Sequence, residues 1–370
     1  MDLLAYRILV INPGSTTTKV AVYSGSEPEF IETIHHDPAQ LSTFSDILEQ
    51  REFRKRTIVD LLHSKGLSIS GFHVVVSRGG LCKPIPSGVY EVNQQMIEDL
   101  RTSVLGKHAS SLGGIIAHEL ASEAGVRALI VDPVVVDEME PLARYSGWSL
   151  IPRKSIFHAL NQKAAARTIA ARFGVRYEEL NMIVVHLGGG ISVGVHRRGR
   201  VVDVNNGMEE GPFAPERAGS LPIGDLIRIC FSGKYTREQM LKVMSGQGGL
   251  VSYLGTNDGR EVERRIETGD TRAAEVYEAM AYQVAKEIGA GATVLAGDVD
   301  AIVLTGGLAR SRRFVASVKS RVRFIAPVFV VPGDLEMETL AKSALQALTG
   351  EVEIRTYAPV GDWHHYQGFC

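Results

Sequence analysis

The sequence predicts an α/β protein built from two related domains, and three observations predict it. Apolar runs with strand character alternate with helical stretches along the whole chain. One plan of apolar strand, polar turn and alternating strand occurs at 8–23, ILVINPGSTTTKVAVY, and again at 183–199, IVVHLGGGISVGVHRRG. A chain of 370 residues that is 45% hydrophobic and 22% charged can bury two cores.

Taken in order, strands are expected at 7–12, 18–24, 72–77 and 127–132, with helices near 42–65, 93–105 and 111–124. A second cycle opens at Pro152. It holds a helix at 159–173, the strand NMIVVHL, the glycine knot GGGIS and the strand pair VGVHRRGRVVDV. Helices near 223–231, 236–244 and 272–296 follow, then the strand DAIVLTGG, a strand at 328–332 and a helix at 336–348. The domains are therefore placed at 1–152 together with about 338–370, and at 153–337.

Composition narrows the partners. A formal net charge of −2 gives no support to nucleic acid or an anionic membrane as partner. Cys82, Cys230 and Cys370 have neither disulfide-framework nor zinc spacing, which suits a reducing cytosol. No apolar run is long enough to span a bilayer, and a strand starting near residue 7 leaves no room for a signal peptide. A cytoplasmic protein is expected.

The turn after the first strand carries Asn12, Gly14, Ser15, Thr16, Thr17, Thr18 and Lys19. Amide, hydroxyl and ammonium groups together bind phosphate oxygens or hydrated Mg²⁺, although a plain polar turn has the same composition. The chain has no Walker A pattern and no GxGxxG. GISVG at 190–194 fits the GxSxG elbow of hydrolases, but that elbow runs from strand to helix, and the alternation after Ser192 reads as strand. A glycine turn opening onto phosphate fits better.

His186 ends a strand before Gly188, Gly189 and Gly190, and His158 lies just before a helix start, where an imidazole can face an anion. Asp132 ends a strand before a proline, a place where carboxylates face ligands or simply make turns. Arg78 in VVVSRGG and Arg217 in PERAGS sit beside glycine, well placed to fork onto carboxylate or phosphate. REFRKR at 51–56, HRRGR at 196–200 and the terminal WHHYQGF are read as solvated or surface segments.

In order, NPGSTTTK, VVSRGG, GKHASSLGG, IVDP, FHALNQKA, HLGGGIS, EGPFAPERAGSLP and LTGGLARS resemble the acetokinase family, and within it the butyrate kinase branch. The resemblance implies two duplicated βββαβαβα domains, ribonuclease H-like and of the actin-type ATPase kind, with the nucleotide in the cleft between them. It implies reversible transfer of phosphate from ATP to a short carboxylic acid with Mg²⁺, giving an acyl phosphate and ADP, in a homodimer or higher homo-oligomer. By position, Asn12, Ser15, Thr17 and Lys19 form a first phosphate and metal loop. His186 with Gly188, Gly189 and Gly190 forms a second, and Gly306 and Gly307 lie against the adenosine. Asp132 holds Mg²⁺ with Asn12 and with Glu336 or its rival Glu338, while His158 and Arg217 stabilise the phosphoryl group in flight.

Acetate kinases carry RVVHGG where this chain has VVVSRGG, which puts Arg78 in another register, and Asn where it has Gly189. Both departures point away from acetate itself. Acetate or propionate kinase remains the alternative, followed by a sugar kinase of the same superfold or an actin-like nucleotide-binding protein.

Overall fold

In the computed structural model, which describes residues 6–102, 106 and 108–358, the chain divides into two compact units. One runs to Asp137 and resumes at Leu335; the other is Glu138–Asp334. The terminal WHHYQGF, Cys370 and the end of the helix expected at 93–105 lie outside the described residues.

The first unit holds β1 (Arg7–Pro13), β2 (Thr17–Ser24), β3 (Glu27–His35), β4 (Val74–Ser77), β5 (Val89–Glu91) and β6 (Arg127–Val131). The second holds β7 (Asn181–Leu187), β8 (Ile191–Arg197), β9 (Arg200–Val204), β10 (Ala301–Gly306) and β11 (Val328–Pro332), and β12 (Ile354–Thr356) returns to the first sheet. The first sheet runs β12-β5-β6-β4-β1-β2-β3 and the second β11-β10-β7-β8-β9. The five-strand set β6-β4-β1-β2-β3 repeats the order of β11-β10-β7-β8-β9, so the sequence repeat is a repeat of topology. In both, an antiparallel meander is extended by parallel strands.

Fully apolar stretches make the central strands. Ile8, Leu9, Val10 and Ile11 of β1 are completely buried, as are Met182, Ile183, Val184 and Val185 of β7, because helices cover both faces of a parallel sheet. Helices at Ser111–Ala124, Ala159–Phe173 and Glu336–Leu348 match their expected spans. β3 escaped the sequence reading because this edge strand, EPEFIETIH, buries no residue completely and carries charge on both sides. The helix Arg312–Val322 escaped because only Phe314, Val318 and Val322, one per turn, carry its buried face.

REFRKR is not a solvated face throughout. The helix Gln50–Ser64 buries Gln50, Arg54, Ile58 and Leu62, a stripe at i, i+4 spacing whose apolar half enters the core. Its polar half lies under the first turn. Arg54, with no solvent exposure, donates to the carbonyls of Ser15 and Thr17 at 2.9 and 3.0 Å and to Thr18 Oγ1 at 3.1 Å. Thr18 Oγ1 also meets His36 Nε2 at 2.8 Å. Hence Thr18 points down onto Arg54 and His36, and Thr17 and Lys19 share the opposite face. HRRGR is likewise split: His196 is fully buried and Arg197 pairs with Glu140, while Arg198 and Gly199 make the hairpin tip.

Burial, with the Arg54 charge beside it, pushes His36 down to about 4 from its ordinary 6.5. A depressed histidine is neutral in the folded protein and takes up its proton more readily when unfolded. Stability from this site is therefore complete above about pH 6.5 and falls as pH drops toward about 4. Urea denaturation of wild type and His36→Gln across that window should show the wild type losing more stability on acidification; parallel curves would contradict the assignment.

Candidate active site

In the second unit the candidate residues gather where β7 ends. Thr305 of β10 is level with His186 on one side of β7, and Ser192 of β8 is level with it on the other. Beyond those rungs come Gly188, Gly189 and Gly190 after β7, and Gly306, the last residue of β10, with Gly307 after it. They share the C-terminal edge of parallel strands, where open α/β sheets bind ligands. Gly306 exchanges backbone hydrogen bonds with Gly333 at 3.0 and 2.9 Å, closing the end of β10 onto the segment after β11.

His158 precedes the helix Ala159–Phe173, and its ring stacks on His186 with centroids 3.8 Å apart and planes within 9°. His186 Nδ1 lies 2.7 Å from Asn161 Oδ1, which fixes the ring from one turn into that helix. Arg217 reaches the same place from the loop after β9 and donates Nη1 to the carbonyl of Gly207. A methyl group on Gly190 would sit 2.2 Å from Arg217 Nη1, so the missing side chain at 190 is the seat of the guanidinium. The Glu216 amide donates to the Gly189 carbonyl at 3.1 Å and ties the two loops together. One edge thus carries a forked cation, two imidazoles and a glycine turn, which together can grip a transferring phosphoryl group.

The first unit builds its own edge from the ends of β1, β4 and β6, since Ile11 is level with Ser77 and Ser77 with Ile130. Asn12 and Arg78 are joined by Glu336, the first residue of the helix Glu336–Leu348. Asn12 Nδ2 donates to Glu336 Oε2 at 2.6 Å, and Arg78 Nη1 pairs with Glu336 Oε1 at 3.1 Å. Glu336 is buried and Glu338 exposed, so it is Glu336 that joins this cluster. Arg78 therefore already spends part of its fork on a carboxylate of the protein.

Asp132, buried and in the left-handed region at φ 38°, accepts the Ser87 hydroxyl at 2.6 Å and the Gly88 amide at 2.9 Å on Oδ1. Of the two roles weighed for it from sequence, these bonds are those of the turn. In the first turn, Ser15 is exposed, Thr17 and Lys19 are half-buried, and the Gly14 amide donates to the Thr17 carbonyl at 2.8 Å.

Among the described residues no three His, Cys, Asp or Glu side chains form a metal cage. Mg²⁺ does not require one. It keeps waters and binds through one or two carboxylates together with substrate phosphates, and the oxygen donors of Asn12, Asp132 and Glu336 fit that chemistry.

The sequence reading missed Asn161, Gln162 and Ser192 as partners of the histidines. Asn161 and Gln162 lie three and four residues after His158 in FHALNQKA, and Ser192 lies two residues past the glycines, on the polar side of an alternating strand. That alternation was the available signal. As expected, Ser192 lies within β8 and not at a strand-to-helix elbow.

The sequence profile of the acetokinase family matches residues 145–343, more than half of the chain. The chain belongs to the acetokinase family. Membership carries the class of reaction, phosphoryl transfer to a carboxyl group. Among solved structures, the chain is similar to an acetate kinase from Porphyromonas gingivalis, at 19% identity over 93% of this chain and 100% of that one, with a TM-score of 0.74. A propionate kinase from Francisella tularensis follows at 17%, 91% and 98%, TM-score 0.73. An acetate kinase from Entamoeba histolytica follows at 16%, 91% and 98%, TM-score 0.70. At such identities the likeness carries the fold alone, the two-unit α/β architecture with its repeated strand order. Among the described residues no helix is long and apolar enough to cross a membrane.

Gly190→Ala puts its methyl where the guanidinium of Arg217 sits. Turnover should fall roughly a hundredfold, the loss of one preorganised donor to a transition state, with unchanged circular dichroism. Wild-type turnover would show that Arg217 need not sit there.

Proposed function

We propose that this protein transfers the γ-phosphoryl group of ATP to the carboxylate of a short-chain acid, butyrate or a branched short acid, giving an acyl phosphate and ADP reversibly. One carboxylate oxygen attacks phosphorus in line, the bond from phosphorus to the β,γ-bridging oxygen breaks, and that oxygen leaves with ADP. The acid is already ionised at neutral pH, so the reaction needs no general base. It needs charge stabilisation of the phosphoryl group in flight.

The observation that carries this reading is the gathering of Arg217, His158 and His186 around the glycine turn after β7. Arg217 forks onto the equatorial oxygens, and the His158 imidazole, stacked on His186, donates to them from the side. Ser15, Thr17 and Lys19 hold the nucleotide phosphates, the Gly188–Gly190 turn lends backbone N–H groups to them, and Gly306 and Gly307 lie against the adenosine. Mg²⁺, when bound, neutralises phosphate charge; Asn12, Asp132 and Glu336 are the residues to hold it.

The choice of acid rests on two departures, and one of them has a structural counterpart. Arg78 stands in a different register from the arginine of acetate kinases and is ion-paired to Glu336. This supports an acid anchored differently from acetate. Acetate or propionate is the second reading, favoured by the names of the solved structures the chain resembles.

Hydroxamate formation with ATP, Mg²⁺ and acids from acetate to branched five-carbon chains tests both levels, because only an acyl phosphate yields hydroxamate. The expected result is product with all short acids and the highest kcat/KM for butyrate or isobutyrate. A preference for acetate would select the second reading, and no hydroxamate with any acid would remove the reaction.

A further inference from the structure

Beneath the two histidines lies a buried chain of polar groups whose directions can be worked out. Gln162 Nε2 is 3.0 Å from the Ser192 carbonyl oxygen, which can only accept, so the amide nitrogen faces Ser192. The Gln162 carbonyl, Oε1, then faces His196 Nε2 at 3.0 Å and must accept from it, which puts a proton on Nε2 of His196. His196 has no solvent exposure, and burial, with the Lys163 and Arg167 charges, holds it far below its ordinary range and therefore neutral. Its Nδ1 is thus a bare lone pair, and the Tyr177 hydroxyl at 2.6 Å is the donor to it.

The same reasoning continues upward. Ser192 Oγ, fully buried, accepts from Gln162 Nε2 at 2.8 Å and faces the His158 backbone N–H at 3.5 Å. Both of those groups are donors. The hydroxyl hydrogen therefore goes to the remaining neighbour, His158 Nδ1 at 3.0 Å. A doubly protonated His158 would turn an N–H onto that hydroxyl, whose three neighbours would then all be donors.

One glycine makes the chain possible. On β8, Ser192, Gly194 and His196 share a face, and a methyl at 194 would lie 2.2 Å from Gln162 Oε1. The bare backbone at 194 lets Gln162 span from Ser192 to His196.

We propose that Tyr177, His196, Gln162 and Ser192 form a one-way hydrogen-bond relay that holds His158 as the neutral ring protonated at Nε2, so that His158 offers the phosphoryl group an uncharged N–H donor. Every donor in the relay points toward His158. Each bond polarises the next, so the chain fixes both the tautomer and the aim of the ring. The four are positioning residues, since none is argued to touch substrate. The donor role of His158 rests on the phosphotransferase reading above; the tautomer does not.

The test is long-range ¹H–¹⁵N spectroscopy on ¹⁵N-histidine-labelled full-length protein at about pH 8, where free histidine is neutral, with ring signals assigned through His158→Asn. His158 and His196 should both show a protonated Nε2 and an unprotonated Nδ1. Ser192→Ala should give a mixture of His158 tautomers, with kcat about tenfold lower and the KM for ATP within about twofold, the signature of a contact made in the transition state. Tyr177→Phe, which keeps the buried ring, should release the His196 tautomer and lower kcat about threefold; it carries the test if Ser192→Ala does not fold. A proton on Nδ1 of His158 in the wild type overturns the proposal, as do tautomers unmoved by either substitution. The expected tautomers with undiminished turnover in Ser192→Ala and His158→Asn would leave the relay standing and overturn the donor role, and with it the placing of His158 at the phosphoryl group.

Discussion

The pairing of β7 with its two neighbours sets His186 level with Thr305 on one side and Ser192 on the other, and the groups of the second unit are positioned from that rung. Side chains alternate along a strand, so a slip of one residue would turn His186 and Ser192 to the opposite face and present Val185 and Val193 in their place. The slip is prevented by what the apolar positions bury. Ile183, Val185, Ile191, Val193 and Val195 belong to one continuous core with the long helix Thr271–Val294. Core packing and the placing of these polar side chains are thus two faces of one register, and the stability of the first specifies the geometry of the second.

Close approach is the second requirement, and it is met by omission. The guanidinium of Arg217 occupies the place where a side chain on Gly190 would be, and the amide of Gln162 occupies the place above Gly194. A cation beside a backbone turn, in surroundings of low dielectric, interacts more strongly with anionic oxygens than it would in water. The first unit uses a different device for its turn: Arg54 holds the Ser15 and Thr17 carbonyls from below, so the loop is fixed from inside while Thr17 and Lys19 face the other way.

Much of this was legible in sequence because apolar strands ending in polar or glycine residues are a strong local signal. β1, β7 and β10 were read from such endings, and with them Asn12, His186 and Gly306. Residues whose role depends on a partner far along the chain were not legible. Arg54 reads as one more charge in REFRKR until the i, i+4 spacing to Gln50, Ile58 and Leu62 is taken as a buried stripe. Glu336 and Glu338 could not be told apart: two residues on a helix differ by about 200° in direction, and only the packing of that helix against β1 decides which enters the cluster. The relay joins positions 158, 162, 177, 192 and 196 through a helix, a loop and a strand, and no spacing rule contains it.

The central claim is that the edge after β7 grips the phosphoryl group in flight more tightly than it grips the bound nucleotide. Calorimetric titration with ADP, and separately with ADP, Mg²⁺, aluminium fluoride and butyrate, on wild type, Arg217→Lys and Arg217→Ala tests it most directly. The planar fluoride stands in for the phosphoryl group between its two oxygens. Arg217→Ala should weaken binding of the mimic by about 3 kcal/mol, more than a hundredfold, with ADP alone nearly unchanged. Arg217→Lys should remain impaired, since an ammonium cannot reproduce the fork. Equal affinity of all three proteins for the mimic would contradict the account.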